Sequence, residues 1–132
     1  MNIQNCIVAA VSVVSLVVNC YPTQAEGLTA SWYSVESCKK EGTSGVMANG
    51  QRFDNNRLSC ASWDYAFGTM LRVTNCDNNK WVIVEVTDRG PNKRLYKMGR
   101  VIDLSEAAFS KIASLKQGII PIQIEKVALC VG

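Results

Sequence analysis

The chain has 132 residues, of which 48% are hydrophobic and 19% are charged, and its formal net charge is +3. This length suits one globular domain, and the composition excludes an intrinsically disordered chain. A mild positive charge without a dense basic stripe argues against a nucleic-acid-binding protein.

The first 25 residues form a distinct segment. Residues 7–18 are apolar except for two serines, which matches the hydrophobic region of a signal peptide and is short for a membrane span. Residues 23–25 (Thr-Gln-Ala) place small side chains where a signal peptidase needs them, although no Lys or Arg precedes the apolar run, so a retained anchor stays open. Cys20 follows an asparagine, which does not fit a lipobox. We expect a signal peptide over 1–25 and secretion to the periplasm or cell envelope.

The mature domain is then expected to cover residues 26–132, and its first half has few regular elements. Residues 28–34 are predicted to form a strand. Residues 35–69, rich in Gly, Asn, Ser and Asp, are predicted to form long loops with short strands between them.

Two strands with a turn between them follow. Residues 70–75 are predicted to be a strand, and the turn residues at 77–80 (Asp-Asn-Asn-Lys) predict a hairpin to a strand over 81–87. Side-chain alternation puts the three valines of this strand on one face and Trp81, Ile83, Glu85 and Thr87 on the other. We nevertheless assign Trp81 to the core.

A breaker and a basic stretch come next. Residues 88–91 (Asp-Arg-Gly-Pro) end the strand, since Gly and Pro cannot easily continue it. The basic residues Lys93, Arg94, Lys97 and Arg100 are interpreted as a solvated loop, with the alternative of a groove edge that faces an anionic polymer.

The last part predicts a helix and a strand. Ser105 is a good N-cap for a helix over 105–115, and Phe109 is assigned to the core. Residues 120–125 alternate apolar and polar side chains, which predicts a final strand. This pattern indicates a mainly β fold, and closure into a barrel would remove the exposed strand edges.

Four cysteines remain after the predicted signal peptide: Cys38, Cys60, Cys76 and Cys130. An even number in an exported domain favours two disulfides, and the sequence leaves three pairings open. The chain has no histidine and no CxxC pair, so we expect no metal and no organic cofactor. The absence of histidine also excludes Ser-His-Asp and Cys-His catalysis.

Six stretches of the chain form a recognisable set. They are residues 30–33 (Ala-Ser-Trp-Tyr), 47–54 (Met-Ala-Asn-Gly-Gln-Arg-Phe-Asp), 67–75, 84–91, 101–109 and 118–127. Together they resemble the RlpA-like (rare lipoprotein A, septal ring lytic transglycosylase) family, which is related to expansins; they occur in the family's order and cover nearly all of residues 28–127. The resemblance implies a six-stranded double-psi β-barrel with one or two short helices.

The resemblance also implies an activity. RlpA-like proteins that cleave peptidoglycan are lytic transglycosylases, which break the bond after N-acetylmuramic acid and close a 1,6-anhydro ring. Because the sugar's own 6-hydroxyl is the nucleophile, one carboxyl group can act first as general acid and then as base. Asp88 matches the family's aspartate in Asp-Arg-Gly-Pro, with the alternative that it only satisfies backbone amides at a turn. Asp103 matches the aspartate that expansins use in the same groove, with the alternative that it caps the following helix.

Two positions depart from the family pattern. Gln51 stands where catalytic relatives have Glu, and Ser62 stands where they have His. Losing a positioned acid or base typically costs about 10²–10⁴ in rate. Two hypotheses therefore stay open: an endolytic peptidoglycan lytic transglycosylase that uses Asp88 and Asp103, and a non-catalytic, expansin-like module that binds and loosens wall polysaccharide.

The expected partner is peptidoglycan or a related wall polysaccharide, bound by a monomer without nucleic acid or metal. By strand alternation Trp32 and Tyr33 cannot both face the ligand, so one of them is expected in the core. The candidate substrate-binding residues are Tyr33, Asn49, Gln51, Ser62, Trp63, Tyr65 and Arg89.

Overall fold

The computed structural model describes residues 27–40, 42 and 44–128. The predicted signal peptide and Cys130 lie outside these residues. The elements are β1 (Thr29–Tyr33), α1 (Val35–Lys40), β2 (Ser59–Ser62), β3 (Met70–Asn75), β4 (Trp81–Asp88), α2 (Lys93–Lys97), β5 (Arg100–Ser105), α3 (Glu106–Ile112), a 3₁₀ helix (Leu115–Gln117) and β6 (Ile120–Lys126).

The six strands close into one barrel in the order β1-β5-β2-β4-β3-β6. The pairs β1–β5 and β2–β4 are parallel, and the other four pairs are antiparallel. Exchanging β1 with β4, β2 with β5 and β3 with β6 leaves every pairing unchanged, so the barrel has an internal two-fold pattern. The predicted six-stranded double-psi barrel is confirmed. The described residues hold three short α-helices, rather than one or two.

The barrel core is built by alternation along the strands. Val82, Val84 and Val86 of β4 point inward and are buried, and Phe109 of α3 is fully buried, as predicted. The core assignment of Trp81 is wrong, because its side chain is 51% exposed. Trp81 opens β4 on the outward face, where the Arg72 guanidinium lies 4.7 Å from the ring centroid.

The basic stretch after Pro91 is a helix where a loop was expected. The Asn92 side chain accepts a hydrogen bond from the Arg94 backbone N–H and so caps the N-terminus of α2. The next helix, α3, is capped by Ser105 as predicted, but it ends at Ile112 because Ala113 takes an extended conformation.

One extra residue interrupts the pairing of β5 with β1. Thr29 pairs with Arg100, but the next residue, Ala30, pairs with Ile102, which leaves Val101 as a bulge. Val101 and Ile102 are both buried although they are adjacent. The side chain of Arg100 therefore falls on the face opposite to the one that strict alternation predicts.

A second extra residue lies in β4, opposite β2. Cys60 pairs with Val86, whereas Ala61 pairs with Asp88, which leaves Thr87 unmatched. Thr87 was predicted on the face opposite to the three valines, yet it is fully buried. The bulge turns Asp88 away from the face of the inward-pointing valines.

The two predicted disulfides are not confirmed. Cys60 carries a free thiol enclosed in the barrel core, where burial is the main cause that raises its pKa, and Cys130 lies outside the described residues. Within the described ranges, no helix is long and apolar enough to cross a membrane.

Asn75 ties strand β3 to the end of α3, which yields a first prediction. Its buried side chain donates to the Ile112 carbonyl at 2.8 Å and accepts from the Asp77 N–H at 2.9 Å. We expect Asn75→Ala to lower the free energy of unfolding by about 1–2 kcal/mol, because the buried Asn75 amide loses two hydrogen bonds, while the Ile112 carbonyl keeps the one from Asn78 Nδ2 at 3.0 Å. Denaturant unfolding measures this. The exposed Asn56→Ala is the control and should change stability by less than about 0.5 kcal/mol; equal effects of both variants would contradict the prediction.

Candidate active site

The two predicted acids lie in one row of residues across four neighbouring strands. Asp103 of β5 pairs with Ser31 on one side and with Ala61 on the other, and Ala61 in turn pairs with Asp88. Two strand spacings separate the acids, which puts their Cα atoms about 10 Å apart. Both line one cleft of about 320 Å³, with Ala61 between them. Other residues that line this cleft are Tyr33, Val46, Phe53, Pro91, Asn92 and Arg100.

Asp88 is held by donors from three chain segments. Its Oδ1 accepts hydrogen bonds from the backbone N–H groups of Ala48 and Arg89, both at 2.8 Å. The Tyr33 hydroxyl lies 3.4 Å from Oδ2 and donates to it. Asp88 therefore satisfies backbone amides, as the alternative interpretation had it, and also lines the cleft. Because the amides take Oδ1, Oδ2 is the oxygen placed towards Tyr33.

Asp103 is held by an ion pair. Arg100 donates from Nε at 3.2 Å and from Nη2 at 3.1 Å to the same oxygen, Oδ1 of Asp103. Residues three apart on a regular strand point to opposite faces, so this contact depends on the bulge at Val101. The alternative role, capping α3, is taken by the Ser105 hydroxyl, which accepts from the Ala108 N–H at 3.3 Å.

The Tyr33 ring is largely buried, with its hydroxyl directed at the acids. The ring stacks on Phe53 with centroids 4.3 Å apart. Burial, followed by the negative charges of Asp88 and Asp103, raises the pKa of the Tyr33 hydroxyl well above its usual value of 10.0. This group is therefore a neutral hydrogen-bond donor beside the carboxylates. Trp32 is partly buried against the core and donates to the Leu115 carbonyl at 3.1 Å, yet it lines the cleft as Tyr33 does, so the expected division of this pair between core and cleft is not confirmed.

Asn49, Gln51 and Ser62 lie outside the set of residues that line the cleft. The Gln51 carbonyl oxygen accepts from Asn49 Nδ2 at 3.1 Å and from Arg57 Nη1 at 3.2 Å. The Ser62 hydroxyl is buried and accepts from the Asp64 N–H at 3.2 Å. The structure thus places both positions that depart from the family pattern in local hydrogen-bond networks, and their contact with substrate stays a prediction.

The loop after β2 is attached to the end of β4 by Arg89. Its Nη1 donates to the carbonyls of Ser62 and Tyr65, both at 2.7 Å, and its guanidinium lies 4.0 Å from the centroid of the Phe67 ring. Tyr65 itself packs against the barrel core. These contacts make Arg89 an anchor of the loop. Arg89 lines the cleft whereas Tyr65 does not, and substrate binding by either residue stays a prediction.

Trp63, on the same loop, is partly exposed beside one end of the cleft. Its indole N–H donates to the Pro91 carbonyl at 2.6 Å, and Lys93 Nζ lies 4.9 Å from the ring centroid. The position fits the predicted role in substrate binding, which no contact in the structure tests.

Three contributors to the site were missed in the sequence. Arg100 was noted only as a basic residue, Phe53 only as part of a motif, and the Ala48 amide has no side-chain signal at all. In the part of the chain that the structure describes, no group of three or more Cys, Asp or Glu side chains could hold a metal ion.

Known proteins match most of the chain. Residues 25–124 match the protein family described as "Lytic transglycolase". The chain belongs to this family. The family resemblance of the six sequence stretches is thereby confirmed.

Two bacterial relatives carry the name "Endolytic peptidoglycan transglycosylase RlpA". The one from Rickettsia felis is 41% identical over 97 residues, which cover 73% of this chain and 40% of the relative. The one from Campylobacter jejuni is 36% identical over 111 residues, which cover 80% of this chain and 37% of the relative. The chain thus spans about two fifths of the length of these relatives.

Two solved structures share the fold. A Clavibacter michiganensis expansin mutant in complex with cellohexaose has a TM-score of 0.55 and 26% identity, and the match covers 80% of this chain and 52% of the expansin. The Streptomyces papain inhibitor has a TM-score of 0.58 and 23% identity, and the match covers 77% of this chain and 93% of the inhibitor. The second likeness concerns the fold alone.

The Arg89 anchor leads to a prediction about the loop. We expect Arg89→Lys to lower the free energy of unfolding by about 1–3 kcal/mol, because an ammonium cannot reproduce two hydrogen bonds together with stacking on Phe67. Hydrogen exchange should also speed up across residues 62–67. The exposed Arg52→Lys serves as the control. Unchanged exchange in this loop would show that Arg89 does not hold it.

The raised pKa of Tyr33 predicts a loss of stability in alkali. Above pH 10 the unfolded chain releases the Tyr33 proton while the folded chain keeps it, so stability is full below that pH and falls as pH rises. Tyr33→Phe removes this term, and its free energy of unfolding should fall less between about pH 10 and 12 than that of the wild type. Denaturant unfolding at a series of pH values measures the two slopes. Parallel slopes would mean that Tyr33 titrates normally.

Proposed function

We propose that this chain is a peptidoglycan lytic transglycosylase domain that cleaves glycan strands internally and leaves 1,6-anhydromuramic ends. The observation that carries the proposal is the pair of carboxylates, Asp88 and Asp103, lining one cleft across Ala61. Membership of the lytic transglycolase family, and relatives named endolytic peptidoglycan transglycosylase at 36–41% identity, support it.

In the proposed reaction, Asp88 acts first as the general acid. It donates its proton to the glycosidic oxygen as the bond from that oxygen to C1 of the muramic residue breaks. The 6-hydroxyl oxygen of the same residue attacks C1, and its proton passes to the Asp88 carboxylate, which restores the acid. No water is consumed, and the products are one anhydro end and one free 4-hydroxyl. The hydrogen bonds of two backbone amides to Oδ1 support Oδ2 as the oxygen that carries out both proton transfers.

Asp103 and Tyr33 have supporting roles in this proposal. The Asp103 carboxylate, held by Arg100, places negative charge near the positive charge that develops at C1. The Tyr33 hydroxyl donates to Oδ2 of Asp88 and orients it when Asp88 is ionised between the two proton transfers. One chain supplies all of these groups, so the proposed acting form is a monomer.

A non-catalytic, expansin-like module is the second candidate. Two departures from the family pattern favour it: Gln51 replaces the Glu and Ser62 replaces the His of catalytic relatives. Both residues also lie outside the cleft lining. The structural likeness to an expansin in complex with cellohexaose also supports it. Such a module would bind the wall strand in the cleft and leave its bonds intact.

Export is part of the proposal, because the proposed substrate lies outside the cytoplasmic membrane. The apolar segment of residues 7–18, read as a signal peptide, supports a secreted or periplasmic location. The two disulfides expected among Cys38, Cys60, Cys76 and Cys130 remain a further proposal, and the enclosed position of Cys60 weighs against its participation.

The test is digestion of purified, peptide-free glycan strands followed by mass spectrometry, which distinguishes anhydro ends from hydrolysed ends by one water. Asp88→Asn should lower the release of anhydro ends by about 10²–10⁴, because the acid and base are both lost. Asp103→Asn should lower it by at least about tenfold. The matched control is Asp77→Asn, an exposed carboxylate on the β3–β4 turn, which should leave the rate unchanged.

The outcomes separate the two candidates. If the wild type releases no anhydro ends but still pellets with insoluble wall material, the transglycosylase proposal is refuted and the non-catalytic binding module is supported. Release that persists in a folded Asp88→Asn variant would show that another group is the acid.

A further inference from the structure

A group of cations borders one end of the cleft. Asn92 and Arg100, which flank helix α2, both line the cleft, so α2 lies at its edge. Within α2, Lys93, Arg94 and Lys97 are exposed. These three residues are called the basic rim.

The basic rim has no ion-pair partner within the described residues. The ion pairs there join Arg57 with Glu85, Arg72 with Glu125, and Arg100 with Asp103.

One acid does contact α2, but through a tyrosine. Asp64 accepts a hydrogen bond from the Tyr96 hydroxyl at 2.5 Å. Lys93 and Lys97 stand four residues apart in one helix, and like charges at this spacing are destabilising. An external anion bound between Lys93 and Lys97 would relieve this repulsion.

Trp63 adds a flat surface next to these charges. Its ring is held by the hydrogen bond from Nε1 to the Pro91 carbonyl at 2.6 Å, and it remains 39% exposed. Lys93 Nζ lies 4.9 Å from the ring centroid. An anchored aromatic ring can pack against the C–H face of a sugar, while a neighbouring ammonium can pair with an acidic substituent on that sugar.

We infer that Trp63 and the basic rim form a subsite for glycan that bears carboxylates, at the end of the cleft next to Pro91 and Asn92. The inference rests on the proposed function, since it takes wall glycan to be the ligand. It specifies that this ligand is a glycan strand with a negatively charged sugar at the end of the cleft next to Pro91 and Asn92. The neutral sugar backbone then contacts the cleft and Trp63, and the carboxylates contact the rim.

The experiment measures equilibrium binding of the full chain to two ligands with the same sugar backbone. One is peptide-free glycan strands, whose muramic residues carry free carboxylates, and the other is chitohexaose, which is neutral. The triple variant K93Q/R94Q/K97Q removes the basic rim. The matched control K80Q/K111Q/K116Q removes three exposed lysines elsewhere on the surface and gives the same net charge.

We expect the rim variant to bind the charged strands about tenfold more weakly than wild type at low ionic strength, because three exposed charge contacts are lost. The loss should shrink in about 0.5 M salt, where exposed charges are largely screened. Binding to chitohexaose should stay within about twofold, and the control should bind both ligands as wild type does. Trp63→Ala, with folding checked by thermal unfolding, should weaken binding to both ligands.

Several results would overturn the inference. The first is equal binding of the charged strands by the rim variant and wild type. The second is a loss of chitohexaose binding in the rim variant as large as its loss of binding to the charged strands. The third is polyphosphate bound as tightly as the charged strands, which would indicate charge attraction alone. Binding is measured without turnover, so the two proposals can fail separately. If the chain releases no anhydro ends but shows the expected binding pattern, the proposed function is refuted and the subsite is supported.

Discussion

Side chains alternate along a β-strand, and the candidate site depends on two places where this alternation is interrupted. The extra residue Thr87 turns Asp88 out of the row of buried valines and towards the cleft. The extra residue Val101 brings Arg100 to the same side as Asp103 and permits their ion pair. Without these two bulges the same sequence would point one acid into the barrel and leave the other without its arginine.

The Asp-Arg-Gly-Pro segment combines chemistry with support. Asp88 lines the cleft, while Arg89 holds the loop that carries Trp63 by donating to the carbonyls of Ser62 and Tyr65. Gly90 has a φ of 157°, and a Cβ there would come within 3.3 Å of the Ala61 Cβ. The close approach of Gly90 lets the chain pass over β2 at the point where the row of acids crosses it.

The sequence was sufficient for most of the barrel. Strands β3 and β4 could be predicted almost to the residue, because alternating apolar residues flank a turn of Asp, Asn and Lys. Helix α2 could not be predicted, because its N-cap at Asn92 follows a proline and its apolar residues do not recur at helical spacing. The outward position of Trp81 was also missed, because its aromatic size was taken to indicate burial, although strand alternation places it on the face opposite to the valines.

The resemblance identified Asp88 and Asp103, but it did not predict the bulges and hydrogen bonds that position them. Nothing in the pattern of residues 81–88 or 100–105 shows a bulge, since an extra residue is visible only against its partner strand. The same limit applies to the Ala48 amide, which holds Asp88 through backbone alone. Gln51 and Ser62 were placed in the groove from the family motif, whereas local hydrogen bonds engage them away from the cleft lining.

Ala61 forms the floor between the two acids, because the strand register places its methyl group directly between Asp88 and Asp103. A leucine or phenylalanine at this position would fill the gap between the acids or collide with Gly90, where even a Cβ would lie only 3.3 Å from the Ala61 Cβ. Relatives that retain the two aspartates but carry a large residue here would be unable to admit a sugar ring. Side-chain volume at position 61 is therefore a criterion for sorting this family into open and obstructed members, independent of the acids.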